Sequence, residues 1–149
     1  VTKYLPDGED GGADGKTFTG TDPRLAGNDW IVLRYADILL MHVEAILAGN
    51  DQTTASAAIA SFQAVRDRAG LTTAVTAITK QELLDERRVE LAFENHRLFD
   101  LIRFGKAVEV LSAFSAATGG SFSSTDLLLP IPQNEINLSN GLLSQNAGY

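Results

Sequence analysis

The sequence predicts an all-α fold of tetratricopeptide-like helical pairs, with an irregular N-terminal arm and an extended C-terminal tail. Three observations lead there. Apolar residues recur at alternating spacings of three and four in two neighbouring stretches, Leu33-Ala36-Leu40-Val43-Leu47 and Ala58-Phe62-Val65-Ala69, which is the stripe of an amphipathic helix. A glycine follows each stripe, Gly49 and Gly70, where a left-handed C-terminal cap belongs. Thr79-Lys80-Gln81-Glu82 spells a capping box, in which hydroxyl and carboxylate satisfy each other's orphan amides.

The elements follow in order within a single domain, 1–149. Residues 1–30 carry Gly8, Gly11, Gly12, Gly15, Gly20 and Gly27 with Pro6 and Pro23, a turn-rich arm. Ile31-Val32-Leu33 is a β-branched run that either pairs briefly or leads into the first helix. That helix ends at Gly49-Asn50. Thr53 or Thr54 caps the second, which Gly70 stops. A third helix opens at the capping box, runs to about Glu94 and turns at Asn95-His96. A fourth carries Leu101, Phe104, Val108 and Leu111 on one face and fades before Gly119-Gly120, so four helices fill residues 31–118. In the tail, 119–149, the helical pattern is gone. Leu127-Leu128-Leu129-Pro130-Ile131-Pro132 is extended, because each proline disfavours helix at itself and at its predecessor. The Asn/Ser/Gly-rich end is ordered only if it docks. The first two helices run from about residue 34 to residue 69, close to the ~34-residue tetratricopeptide period. A lone pair cannot bury both faces, so neighbouring repeats are expected outside this chain.

Composition narrows the function. With 149 residues the chain has room for a real core, and 12 basic against 19 acidic residues (net charge −7) argue against a nucleic-acid or anionic-membrane surface. The absence of cysteine removes disulfides, zinc knuckles, iron–sulfur sites and thiol catalysis. No apolar run approaches the ~20 residues of a spanning helix. The chain opens at Val1 without a basic n-region or apolar core, so no signal peptide is expected within it, and the start suggests a piece of something longer.

Candidate chemistry is thin. Gly12-Ala13-Asp14-Gly15-Lys16-Thr17 resembles the end of a phosphate loop, but Asp10 stands where the first glycine belongs, and strand and helix context are missing. Asp7, Glu9, Asp10 and Asp14 offer oxygens to calcium. Counted from Asp7, an EF-hand loop would have Gly12 at its sixth position but Phe18 at its twelfth, in place of glutamate. Both stretches read as surface loop. His42-Val43-Glu44 has the His-x-Glu of zinc deaminases without their cysteines, and reads as structural.

Residues 85–103 hold the richest charge cluster. Opposite charges stand at helical pairing distance in Asp85–Arg88, Arg87–Glu90 and Asp100–Arg103. Arg88 interrupts the line of Leu84 and Leu91, so its guanidinium is expected in a helix–helix seam opposite a carboxylate. Glu94 and His96 are two apart, unlike a Glu-x-x-His metal pair. Tyr4, Phe18, Trp30 and Tyr35 are candidates for stacking on sugar rings, with core or seam packing as the plainer reading. Asn137-Leu138-Ser139 satisfies a glycosylation sequon. No catalytic, cofactor or metal residue is nominated, and ligand-binding residues are unknown.

Three stretches in order carry a resemblance. The first is Ile31-Val32-Leu33-Arg34-Tyr35-Ala36-Asp37-Ile38-Leu39-Leu40-Met41 with Glu44-Ala45. The second is Val65-Arg66-Asp67-Arg68-Ala69-Gly70-Leu71, then Leu83-Leu84-Asp85-Glu86-Arg87-Arg88-Val89-Glu90-Leu91-Ala92-Phe93-Glu94-Asn95-His96-Arg97-Leu98-Phe99-Asp100-Leu101-Ile102-Arg103-Phe104-Gly105-Lys106. The third is Leu129-Pro130-Ile131-Pro132-Gln133-Asn134-Glu135-Ile136 with Gln145-Asn146-Ala147-Gly148-Tyr149. These resemble the "LRYADxLLMxxEA", "ERRxELAFExxRxxDLxRxG" and "LPIPxxEI…QNPGY" texts of the SusD/RagB family, from about residue 31 to the end. His42 stands where an aromatic is usual, and Ala147 replaces the closing proline.

The resemblance implies the C-terminal part of a longer, surface-exposed outer-membrane lipoprotein of Bacteroidetes-type bacteria. Such a protein serves nutrient uptake in polysaccharide utilisation. It binds glycan, or in some members peptide, and caps a SusC-like TonB-dependent transporter, with no catalysis, cofactor or nucleic acid. The matching positions carry over as scaffold. Two other functions stay open on the residues: a tetratricopeptide-like protein-interaction scaffold without glycan affinity, and a hydrolase using Glu90, Glu94 and Asp100.

Overall fold

The computed structural model describes residues 32–149, of which 35–149 form one compact unit. The predicted phosphate-loop and calcium readings, together with Tyr4, Phe18, Trp30 and Ile31, lie outside the described residues. Helix α1 spans Tyr35–Leu47, α2 Ser56–Arg68 and α3 Lys80–Glu90. They are followed by α4, Arg97–Arg103, and α5, Ala107–Thr118. A 3₁₀ turn at Ser124–Leu127 precedes a short α6, Gln133–Leu138. Among the described residues no helix is long and apolar enough to cross a membrane.

The first two helices form where the stripes place them. Ala36, Leu40, Val43 and Leu47 of α1 meet Ala58, Phe62 and Val65 of α2, and Leu83 and Leu84 of α3 close the same core. The stripes are shorter than their sequence period: Leu33 precedes the helix and is exposed, and Ala69 is the exposed C-cap of α2. Gly70, at φ +80°, completes a Schellman ending, with Leu71 N–H donating to Arg66 O at 2.9 Å and Gly70 N–H to Asp67 O at 3.0 Å.

Neither threonine caps α2. Its N-cap is Ala55, without a side-chain bond, because Thr53 is taken up in a two-residue strand, β1 (Gln52–Thr53). β1 pairs antiparallel with β2 (Ile78–Thr79), Gln52 opposite Thr79 and Thr53 opposite Ile78. Lys80 N–H adds a bond to Asp51 O at 2.8 Å. This clip ties the α1–α2 connection to the start of α3. Two residues per strand are too few to show a period of two in a sequence.

The capping box forms as spelled. Glu82 N–H donates to Thr79 Oγ1 at 3.1 Å, and Thr79 N–H to a Glu82 carboxylate oxygen at 2.8 Å. Those bonds from Thr79 hold the Glu82 carboxyl below its ordinary range. A lowered folded-state pKa contributes stability that is fully present above the ordinary value of ~4.3 and is lost as pH falls from there through the lowered folded-state pKa. Thr79→Ala is expected to cost about 1 kcal/mol at neutral pH. Urea melts over a series of pH values from ~7 downward check this: the cost should shrink as the pH falls through the lowered pKa of Glu82, where the wild type loses its half of the reciprocal bond.

Two helix limits differ from the sequence reading. The third helix stops at Glu90, not Glu94; residues 91–95 form a turn in which Phe93 and Asn95 adopt φ +67° and +62°. The fourth is two helices, because Gly105 takes φ +71°. The break resets the helical phase: Leu101, Phe104 and Ala107 are buried, Leu111 is half-buried, and Val108 is exposed. In the tail, a short helix does form directly after Pro132. The rigid φ of proline suits the residue before a helix, and Gln133 supplies the first N–H beyond it.

The tail docks. Gln145 bridges both backbone groups of Ile131, accepting from its N–H at 2.8 Å and donating to its carbonyl at 2.9 Å. Asn146 donates to Leu129 O at 2.7 Å. Gly148 lies so close to Thr125 that a Cβ there would stand 2.9 Å from the threonine Cβ. Leu127, half-buried against the core, ties this assembly to the helices.

Candidate functional site

The charged cluster assembles into a chain of ion pairs that links three helices. Asp37 lies on the buried face of α1, one turn before Leu40. Arg87 lies on the α3 face shared with Leu83 and Leu84, and Asp100 precedes the buried Leu101 in α4. The Arg87 side chain is 3% exposed, and its Nη1 donates to Asp37 Oδ1 at 2.8 Å while Nε donates to Asp100 Oδ2 at 2.9 Å. The other Asp100 oxygen accepts from Arg103 Nε at 3.1 Å and Nη2 at 2.8 Å. Arg103 in turn reaches Glu44, one helical turn beyond Leu40 on α1. Its guanidinium also sits 4.7 Å from the Phe104 ring centroid. Burial pushes the Arg103 pKa down while Asp37 opposes the shift, and the group stays charged.

A second ladder joins α2 to α3. Arg66 pairs with Glu86 at 3.0 Å, and Arg68 Nη2 reaches both oxygens of the buried Glu90 at 3.0 and 2.8 Å. Buried ions need partners of this kind, since a lone charge in the interior is strongly unfavourable.

These contacts revise the expected charge partners. The seam arginine is Arg87; Arg88 is exposed. The buried face of α3 is set by Leu83 and Leu84 together; Arg87, four and three residues on, falls on it, and Arg88 lies about 100° further round. Of the three local pairs, Asp100–Arg103 forms, whereas Arg87 turns to Asp37 and Asp100, Glu90 to Arg68, and Asp85 accepts from Gln81. His42, a structural residue in the sequence reading, bonds Ser61 Oγ through Nδ1 at 2.9 Å and so bridges α1 to α2.

An open depression of about 610 Å³ lies over the ion chain, with Asp37, Glu44, Arg87 and Arg103 along its charged floor and Met41 and Phe99 at its rim. Floor charges committed to one another offer little to an ionic ligand. Asp100 and Glu90 both accept hydrogen bonds from arginine. Among the described residues no group of three or more metal-ligating side chains occurs.

The exterior instead offers exposed aromatic side chains. Tyr35 is 75% exposed, contrary to the packing reading, because the buried face of α1 runs through Ala36 and Asp37 beside it. Phe93, Phe99 and Phe114 are exposed as well, and the aromatic survey of the sequence missed them. For Phe99 the signal was its place off the Leu101–Phe104 stripe.

The class defined by this geometry is a helical-pair scaffold locked by internal ion chains, with the rings of Tyr35, Phe93, Phe99 and Phe114 turned outward. The sequence model of the SusD family matches residues 9–149, and the chain belongs to that family. The residues of the ion chain fall in the motifs that carried the resemblance.

SusD-like protein P2 of Formosa agariphila is 29% identical over 144 residues, covering 89% of this chain and 28% of that protein. The starch-binding protein SusD of Bacteroides thetaiotaomicron is 35% identical over 123 residues, covering 79% of this chain and 21% of that protein. Among solved structures, a laminarin-binding SusD-like protein is 38% identical with a TM-score of 0.62, covering 79% of this chain and 23% of that one. Surface glycan-binding protein A from Bacteroides thetaiotaomicron, in complex with laminarihexaose, is 38% identical with a TM-score of 0.66, covering 81% and 25%. The chain thus spans about a fifth to a quarter of the length of these relatives.

Proposed function

We propose that this chain is the C-terminal scaffold of a longer SusD-like lipoprotein. That protein captures oligosaccharide at the outer-membrane surface and passes it to a SusC-like TonB-dependent transporter. The observation that carries the reading is the 38% identity and shared fold with a relative in complex with laminarihexaose. Capture is non-covalent: aromatic faces stack on sugar rings, and amides and carboxylates hydrogen-bond around the ring plane. The described part contributes rigidity, since its buried Asp37, Glu90 and Asp100 carboxylates are occupied by arginines.

Affinity electrophoresis of the intact protein in gels containing laminarin, starch or no polysaccharide tests capture. Retardation by a glycan that persists at high salt is expected, with no release of reducing sugar. Binding to a protein partner alone would replace this reading with the interaction scaffold, and turnover abolished by Glu94→Gln would replace it with the hydrolase. Recovery of the intact protein in the outer-membrane fraction, together with a co-purifying transporter, tests the delivery step.

A further inference from the structure

Two arginines and a histidine gather at the turn between α3 and α4 without forming an ion pair among the described residues. Arg88, His96 and Arg97 line a cavity of about 170 Å³ together with Arg87, whose charge is already taken by Asp37 and Asp100. Arg97 Nη1 is buried and has no hydrogen-bond partner among the described residues. Neither Arg88 nor Arg97 takes part in an ion pair among the described residues. The carboxylates that act on Arg97 through space are Asp85 and Asp100, and both are engaged: Asp85 accepts from Gln81, and Asp100 from Arg87 and Arg103. Glu94, buried in the same turn, is not free either.

This arrangement is out of keeping with the rest of the molecule. In a chain with 19 acidic and 12 basic residues, two guanidiniums that interact electrostatically each lack an ion-pair partner among the described residues. Burial, and then the charge of Arg88, push the Arg97 pKa down, and Asp85 and Asp100 oppose them. A buried guanidinium N–H without an acceptor is unfavourable until one arrives.

We propose that Arg88, His96 and Arg97 form an oxyanion site that takes a carboxylate group. Guanidinium forks match the two oxygens of a carboxylate, and the imidazole supplies a further N–H. The cavity admits the anionic group and a short stem, not a whole sugar chain. The carboxylate belongs either to an acidic sugar or to an aspartate or glutamate of another polypeptide segment. This inference does not depend on the glycan-capture reading.

Titration of the full chain with sodium acetate, against sodium chloride at matched ionic strength, tests it by ¹H–¹⁵N spectra that include the arginine Nε–Hε signals. Saturable shifts at residues 95–97 with acetate and not with chloride are expected. Arg97→Gln and Arg88→Gln should each weaken them at least tenfold. Arg88 is exposed, so Arg88→Gln leaves folding intact even if Arg97→Gln does not. Shifts that follow ionic strength whatever the anion, or that survive Arg88→Gln undiminished, would overturn the site. Glucuronate binding more tightly than acetate assigns the site to an acidic sugar, and equal affinity assigns it to a polypeptide carboxylate.

Discussion

Arg87→Ala is expected to destabilise the fold by about 3–5 kcal/mol, the usual consequence of removing one member of a buried ion pair. The guanidinium is 3% exposed and its partners Asp37 and Asp100 are 6% and 4% exposed at the side chain. Without it Asp100 keeps Arg103, but Asp37 has no other hydrogen-bond donor among the described residues and is left buried and unpaired. Arg88→Ala, one residue on, should cost under ~0.5 kcal/mol, as surface substitutions do. Urea denaturation of both variants checks the contrast. Equal losses would mean that the seam arginine had been misplaced, and a negligible loss from Arg87→Ala would mean that water already reaches the pair.

That contrast also shows what the sequence could reveal. The capping box was legible because its partners, Thr79 and Glu82, are three residues apart and the bond is local. The core stripes of α1 and α2 were legible for a similar reason, since a period of 3.6 needs no knowledge of the partner. Arg87 and Arg88 are neighbours of identical chemistry, and what separates them is Asp37, 50 residues away on another helix. Gly105 was hidden because Leu101, Phe104, Val108 and Leu111 keep a helical period across it; the change of phase is visible only in which of them is buried. The tail's expected need to dock was sound, but its means, Gln145 on Ile131, involve a side chain whose sequence context says nothing about its target. The exposed rings were missed because a hydrophobic residue in a family motif reads as core. Phe93 and Phe99 show that position on the helix, not residue type, decides.

Leu101→Ala should have the other large effect, about 2–5 kcal/mol, from lost transfer energy and the cavity left behind. Leu101 is 1% exposed and joins the core formed by α1, α2 and α3. Its leverage is larger than its size, because α4 has only seven residues. A helix that short does not persist by its own hydrogen bonds, for which ~12–15 residues are marginal. It is held by Leu101 and Phe104 below and by the Asp100 ion pairs beside them. Loss of Leu101 therefore loosens Asp100 as well, and the amides of α4 should lose exchange protection ahead of those of α1. Phe99→Ala, two residues earlier on the same helix, removes a larger side chain that is 68% exposed and should stay within about 0.5 kcal/mol. Denaturant melts with hydrogen exchange on both variants separate the cases. If the two substitutions cost the same, the Phe99 ring is covered in solution, and the outward face of α4 is a contact surface instead of an edge facing water.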